Sequence, residues 1–287
     1  MKYQLLHIFL KILGFVSRIL PDKGREIMAH LLSWILGKVV KIDRQVARKN
    51  IKKSFPQLSL AEIETIIDNV YLNLVYTLIE FLISEVMADE GWENVYFENE
   101  DYLKKAYKKN QGVIIYTAHF GNWEWLPLIL AARGYPVTAI ARKQNSMINK
   151  EIEKIRQLTG VNIIYRGKAS IRKSFKCLQN GECLYIVGDQ DARGQGWKVN
   201  FFNRPASTYK GAVKLAAKTG APIVPSFLIR QEKGKFKLLF KKPVYVDPNT
   251  DKKGQKEILQ KLTHIYEEVI TDHKSQWLWL YKRWRTY

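Results

Sequence analysis

Polar residues interrupt the first twenty positions at Gln4, His7, Lys11, Gly14 and Arg18, spaced three and four apart. On a helix that spacing makes one narrow polar stripe, with Leu5, Leu6, Ile8, Phe9, Ile12, Leu13, Phe15, Val16 and Ile19 covering the rest. Lys11 and Arg18 break the apolar run and Pro21 ends it, so the segment is short for a bilayer span. No small-residue cleavage site follows, so a secretory signal is not expected. The pattern suits a helix lying in a lipid interface; the alternative is packing on the protein's own core. Further on, Ser59-Leu60-Ala61-Glu62 is a capping box. Behind it Leu60, Ile63, Ile67, Val70, Leu74, Leu78 and Phe81 predict a long amphipathic helix to about Glu85. Residues 1–95 therefore read as a helical, membrane-associating segment.

From about residue 112 the texture changes. Strands are predicted over Gly112–Tyr116, Val137–Ala141, Val161–Tyr165, Leu184–Val187 and Ile223–Ile229. Between them, helices are predicted over about 122–133, from near Ser146 to Gly160, before Gly181, and from Ser207 or Thr208 to Gly220. Each of these helices closes on glycine, the residue that best accepts a left-handed cap. Regular alternation implies an α/β fold over 96–287, a largely parallel central sheet with helices on both faces. A last helix, near Gly254 to His273, leads into a tail where Trp277, Trp279 and Trp284 accompany Lys282, Arg283 and Arg285. Such a tail suits a lipid headgroup region or packing beneath the sheet.

Composition narrows the class. The chain has 287 residues, 46% of them hydrophobic, which is enough for a sizeable core and excludes a disordered chain. The 47 Lys+Arg against 27 Asp+Glu leave a net charge of +20, drawn mostly from the two ends. An excess of that size must face nucleic acid, anionic lipid, a phosphorylated substrate or an acidic protein. Cys177 and Cys183, the only cysteines, are too few for a zinc site or a disulfide framework.

In open α/β sheets ligands sit beyond the carboxyl ends of the strands. Those ends carry His119, Arg142, Arg166 and Asp189-Gln190-Asp191. His119 leaves a strand, Gly121 permits a tight turn, and Glu124 opens the next helix, a separation that can bring the carboxylate back to the imidazole. The pair would make a general base; the plainer reading is a helix cap with a dipole-complementing acid. Gly-x-Ser-x-Gly, the P-loop, Gly-x-Gly-x-x-Gly and metal-spaced histidine pairs are all missing from the sequence. A histidine base without a protein nucleophile implies a substrate hydroxyl attacking a bound, activated acyl group.

His119-Phe120-Gly121-Asn122-Trp123-Glu124 resembles the His-x4-Asp/Glu motif of the late acyltransferases of lipid A biosynthesis, within the glycerolipid acyltransferase superfamily. The likeness runs along nearly the whole chain. It takes in Asn50–Pro56, Glu80, Asp189–Asp191, Val199–Phe202, Pro205–Thr208, Lys218–Pro225 and Trp277–Trp284. Tyr281 departs from the pattern, standing where many members carry histidine. The resemblance implies transfer of a fatty acyl chain from acyl carrier protein to a hydroxyl of a lipid A precursor, at the cytoplasmic face of the cytoplasmic membrane, with no cofactor or metal. It implies His119 as base, oriented by Glu124, and an oxyanion met by Arg142 or a backbone amide near Gly121. Arg142, Arg156 and Arg166 are candidates for phosphate or sugar-acid binding, each with surface salt-bridging as its plainer role. Asn122, Asp189 and Gln190 complete the candidate substrate-binding set; Asp189 and Gln190 suit sugar hydroxyls, a cap, or a salt bridge to Arg142. Another membrane glycolipid or phospholipid as acceptor fits the same motifs. A basic RNA-binding α/β protein fits the charge but lacks a recognised motif, so no nucleic acid is expected.

Overall fold

The computed structural model describes residues 2–89 and 92–287. Its first part is helical: α1 Lys2–Ile19, α2 Asp22–Trp34, a π-helical turn Ile35–Val40, α3 Arg44–Ser54, α4 Leu60–Leu82 and α5 Ser84–Asp89. The capping box forms in full, Ser59 Oγ accepting from the Glu62 amide and the Glu62 carboxylate from the Ser59 amide. The π turn is pinned against α4, where Gly37 lies on the Tyr71 ring and a Cβ would fall 2.8 Å from it. Buried Arg44 reaches Glu64, Asp68 and the Gly37 carbonyl. Hydrogen bonding to Arg48, reinforced by Arg44, pushes the Glu64 carboxyl down to about 2.

Leu13 of α1 and Ala29 of α2 close a small core with Val75 and Ile79 of α4. The rest of α1 is inverted relative to a core helix. Leu5, Leu6, Ile8, Phe9, Ile12, Phe15, Val16 and Ile19 are exposed. The polar stripe turns toward the protein, Arg18 pairing with Glu85 at 2.5 Å and Lys11 with Glu151 at 3.5 Å. These two cations face carboxylates rather than pointing outward to headgroups. Exposed Ile27, Leu31 and Trp34 on α2, and Val39, Val40 and Ile42 at the π turn, extend the apolar surface. Among the described residues one helix, α4, is long and apolar enough to cross a membrane. Buried Ile63, Ile67, Val70 and Tyr71 instead place its first half in the main core.

The second part runs β1 Val95–Glu98, α6 Glu100–Tyr107, β2 Val113–Thr117, α7 Trp125–Ala132, β3 Val137–Ala141, α8 Ser146–Gln157, β4 Asn162–Tyr165, α9 Ser170–Gln179 and β5 Cys183–Val187. It continues with β6 Trp197–Phe201, β7 Arg204–Thr208, α10 Gly211–Thr219, β8 Ile223–Arg230, β9 Phe236–Phe240 and α11 Lys252–Asp272. The sheet order is β1-β9-β8-β2-β5-β3-β4. The five strands from β8 to β4 are parallel; β9 runs antiparallel to β8, and β1 parallel to β9. One face carries α9, α10 and α11 in a large core; the other carries α6 and α7. The expected α/β fold, a mostly parallel sheet covered on both faces, is therefore present.

Two local expectations differ. β1 and β9 extend the sheet beyond the predicted strands. Residues 204–208 form a strand, so α10 starts at Gly211 rather than at Ser207 or Thr208. That strand pairs with β6, whose Trp197, Val199 and Phe201 point inward while Lys198 and Asn200 point out. Phe202 and Asn203 both have positive φ, 50° and 57°, as a two-residue hairpin turn demands. The tail takes the packed one of its two expected placements. Trp277 and Trp279 are fully buried, packed with Phe55, Phe201 and Phe202. Arg283 is buried with them, so this segment is a structural wedge rather than a headgroup belt.

Candidate active site

β2 and β5 are neighbours, with Thr117 opposite Val187. Two residues beyond that pair, on each strand, stand His119 and Asp189. Asp189 Oδ1 lies 2.7 Å from His119 Nδ1, and Oδ2 accepts the His119 amide at 3.0 Å and Trp277 Nε1 at 2.8 Å. The carboxylate is thus fixed on both oxygens, and Nδ1 is the ring nitrogen that donates to it. Nε2 is left as the acceptor, with the Gln190 side-chain amide 3.4 Å away. The ring edge meets Trp123 at 5.3 Å between centroids.

Burial opposes charge on the imidazole, but the Asp189 carboxylate outweighs it and holds the His119 pKa above its ordinary value. Asp189 is also penalised by burial; the facing imidazole and the Trp277 and backbone donors hold it below the usual carboxylate range.

The turn after His119 is rigid. Gly121 has φ +56°, and a Cβ there would fall 1.8 Å from the Leu228 carbonyl oxygen, so only glycine fits. Its amide donates to the Gln276 carbonyl and that of Asn122 to the Leu228 carbonyl. Both amides are therefore engaged, which removes them as oxyanion donors. Asn122 is fully buried and structural, its Nδ2 donating to Glu80 and its Oδ1 accepting from the Trp125 amide. Glu80 is also gripped by Arg230, tying α4 to this turn.

Glu124 does not meet His119. It forms a forked pair with Arg156, at 2.7 and 2.8 Å to Nη2 and 3.1 Å to Nε. Burial disfavours the Arg156 charge, yet Glu124 more than compensates and its pKa is raised. The expected orienting carboxylate is thus replaced by Asp189, because Glu124 lies at the start of α7 facing α8. Arg142 is exposed, and Arg166 stacks on Tyr209 at 4.7 Å.

Glu124, Arg156 and Trp123 form the inner end of a cavity of about 490 Å³. Its walls are Leu10, Gly14 and Phe15 of α1, Leu74, Leu78 and Phe81 of α4, and Ile148 and Ile152 of α8. This is a mostly apolar groove of ligand size beneath the exposed helix, and Trp123 in its lining is the residue whose ring meets the His119 imidazole.

A family model described as bacterial lipid A biosynthesis acyltransferase matches residues 2–286. The chain belongs to that family. It is an O-acyltransferase. Among its relatives, the lipid A biosynthesis acyltransferase 2 of Shigella flexneri is 23% identical over 284 residues, covering 96% of this chain and 88% of the relative. The lipid A biosynthesis palmitoleoyltransferase of Escherichia coli strain K12 is 25% identical, over 86% of this chain and 80% of the relative. The phosphatidylinositol mannoside acyltransferase of Mycobacterium tuberculosis is 24% identical, over 64% of this chain and 58% of the relative.

Two parts of this acyltransferase's site were not assigned from the sequence. The partnership of Asp189 with His119 depends on β2 and β5 being neighbours, although they are separated by two other helix–strand units. Trp277 arrives from 88 residues beyond Asp189. Its signal was a tryptophan with an indole N–H in an aromatic-basic tail, which carries no address. The two thiols stay idle: burial pushes Cys177 and Cys183 up to about 12.

Proposed function

We propose that this enzyme moves a fatty acyl chain from the thioester of acyl carrier protein to a hydroxyl of a lipid A precursor, at the cytoplasmic face of the cytoplasmic membrane. The carrying observation is the His119–Asp189 pair, with Trp123 linking the imidazole edge to an apolar groove. His119 Nε2 takes the acceptor hydroxyl's proton as the oxygen attacks the thioester carbonyl. Asp189 holds the ring with Nδ1 as donor and stabilises the imidazolium. The tetrahedral intermediate then collapses, expelling the thiolate, which takes the proton back from His119. Transfer is direct: the His119 ring nitrogens meet Asp189 and Gln190 rather than a serine or cysteine, and both thiols are buried. Glu124 and Arg156 act as a clamp between α7 and α8 at the groove's inner end. The acyl chain lies in the groove, and Arg142 and Arg166 at the rim meet acceptor phosphate or sugar acid. Residues 1–95 act as the membrane-associating part, with α1, α2 and the π turn seated in lipid, and residues 96–287 as the catalytic part.

A second reading keeps the same chemistry and changes the acceptor to another membrane glycolipid; the likeness to the mannoside acyltransferase favours it. Purified enzyme supplied with acyl-carrier thioester and either acceptor, read by mass spectrometry of the lipid, separates the two. On the true acceptor His119→Ala should lower the rate by roughly 10²–10⁴. Near-native turnover in folded His119→Ala would remove the base from the mechanism.

A further inference from the structure

Most buried or half-buried cations of this protein have carboxylate partners. Arg44 and Arg48 share Glu64, Arg156 has Glu124, and Arg230 has Glu80. One flank instead gathers mostly exposed cations with no acid among them. Residues 166–181 carry five Lys or Arg and no Asp or Glu, and residues 209–222 carry three lysines and no acid. These segments contain α9 and α10, which pack side by side. Among the described residues, Lys173, Lys176, Lys210, Lys214 and Lys218 form no ion pair with any carboxylate.

The lysines also line a cavity. Lys210 at the N-cap of α10 and Lys214 and Lys218 on the helix, spaced four apart, line one side of a groove of about 700 Å³, and Lys252 from the first turn of α11 lines it too. Like charges at that spacing repel, and a cation in a helix's first turn opposes its dipole. Folding alone does not reward this arrangement; an anionic partner does. α10 starts beside Thr208, which accepts from the Arg283 guanidinium, and descends toward the start of β8. The groove therefore opens near the catalytic rim and runs away from it.

The flank is not built like a lipid surface. Ile171 is the one exposed large apolar residue in the two segments, whereas α1 alone shows eight large aliphatic or phenylalanine side chains to solvent. α1 packs on α4 and α8, while α9 and α10 cover the other large core. We propose that the α9–α10 flank is the docking surface for the acidic carrier protein that delivers the acyl thioester. The proposal rests on the reading that the donor is such a carrier. The carrier's body rests on the lysines, and its thioester, on a flexible arm, crosses the rim to His119.

The test uses the full-length enzyme, its lipid acceptor in vesicles, and two donors with one acyl chain, on acyl carrier protein and on pantetheine. Lys214→Glu with Lys218→Glu, and Lys173→Glu with Lys176→Glu, should each lower kcat/KM for the carrier-linked donor by about tenfold or more. Rates with acyl-pantetheine should stay unchanged, and added salt should weaken the native enzyme's use of the carrier. Equal loss with both donors would make the lysines structural and overturn the proposal, as would no loss with either. Loss of vesicle binding in donor-free variants would assign the flank to lipid instead. A native enzyme that takes acyl-pantetheine but refuses the carrier would overturn the donor reading itself, a different outcome from lysine variants that leave carrier use intact.

Discussion

The two ends of this chain are alike in composition and opposite in use. Both mix large apolar side chains with Lys and Arg, and both suit a lipid interface by pattern. In α1 the apolar side chains face outward while Arg18 and Lys11 turn to Glu85 and Glu151. In the tail Trp277 and Trp279 face inward, each indole N–H satisfied, by Asp189 and by the Lys274 carbonyl. The difference lies in the partners available to the polar atoms. A tryptophan enters a core when its N–H finds an acceptor there, and these two find the Asp189 carboxylate and a turn carbonyl. An aliphatic helix has no polar handle to place; it goes inside only if an apolar face is open to it, and α4 gives α1 a narrow one. On the proposed reading the tail serves the chemistry, and α1 serves the location.

The sharpest way to separate the two roles is to disturb the carboxylate that the tail holds. Asp189→Asn keeps the shape but offers Nδ1 no charged acceptor, so turnover should fall roughly 10²–10⁴ while vesicle binding stays intact. The pH profile carries the sign. Activity needs neutral His119, whose pKa the Asp189 carboxylate raises against burial, so the native acid limb should lie above the ordinary histidine value. Removing the carboxylate leaves only the Glu124 charge to oppose burial, and the limb should move to lower pH. An unmoved limb would show that Asp189 does not set the proton affinity of the base. The stability linkage runs the other way in pH: the protonated pair's contribution is complete below the unfolded histidine pKa and is lost as pH rises through the raised folded value.

Truncation makes the complementary break. Deleting residues 2–20 removes most of the exposed large apolar side chains of the helical part, and co-sedimentation with anionic vesicles should fall by about tenfold or more. Ile27, Leu31, Trp34 and the π turn remain, so binding should weaken rather than vanish. Turnover on detergent-dispersed acceptor should persist at a reduced level, because α1 also walls the groove. Equal sedimentation of both forms would hand the membrane contact to α2 and the π turn.

A milder change probes the tail. Trp277→Phe keeps an aromatic body among Phe201, Trp279 and Trp284 but deletes the N–H that seats Asp189 Oδ2. Leaving one buried carboxylate lone pair unmet costs about 1–3 kcal/mol, so turnover should fall about tenfold, with a shifted acid limb and unchanged vesicle binding. A rate loss with no movement of the limb would assign Trp277 to packing alone.

Legibility in the sequence followed the range of the interactions. The five parallel strands, the helix after Ser59 and the rim position of His119 were readable because each depends on a few adjacent residues. What failed was pairing. Glu124 stands five residues from His119, yet pairs with Arg156 on a different helix. Asp189 stands seventy residues away and is the partner, because strand order places β5 beside β2. Local spacing cannot say which strand will be the neighbour. The hairpin at 197–208 was missed for another reason: its period-two pattern spans five residues and turns on Phe202 and Asn203, whose left-handed conformations the surrounding aromatic packing supports.

The smallest effect tests α1 at one side chain. Phe9 is 48% exposed, lies on the outward arc and does not line the groove. Were it a core residue, Phe9→Ser would destabilise the fold by several kcal/mol; at its exposed position it should change Tm little. In lipid the ring gains by burial, and its loss should cost about 1–2 kcal/mol of membrane partitioning, or roughly five- to thirtyfold in vesicle affinity. Because that gain is apolar, the difference between native and variant should survive high salt, whereas any electrostatic share of binding is screened. Thermal melting and vesicle titration of the same preparation decide the matter. A lowered Tm with unchanged titration would mean that α1's outward face packs against protein, and the contrast between the two ends of the chain would be lost.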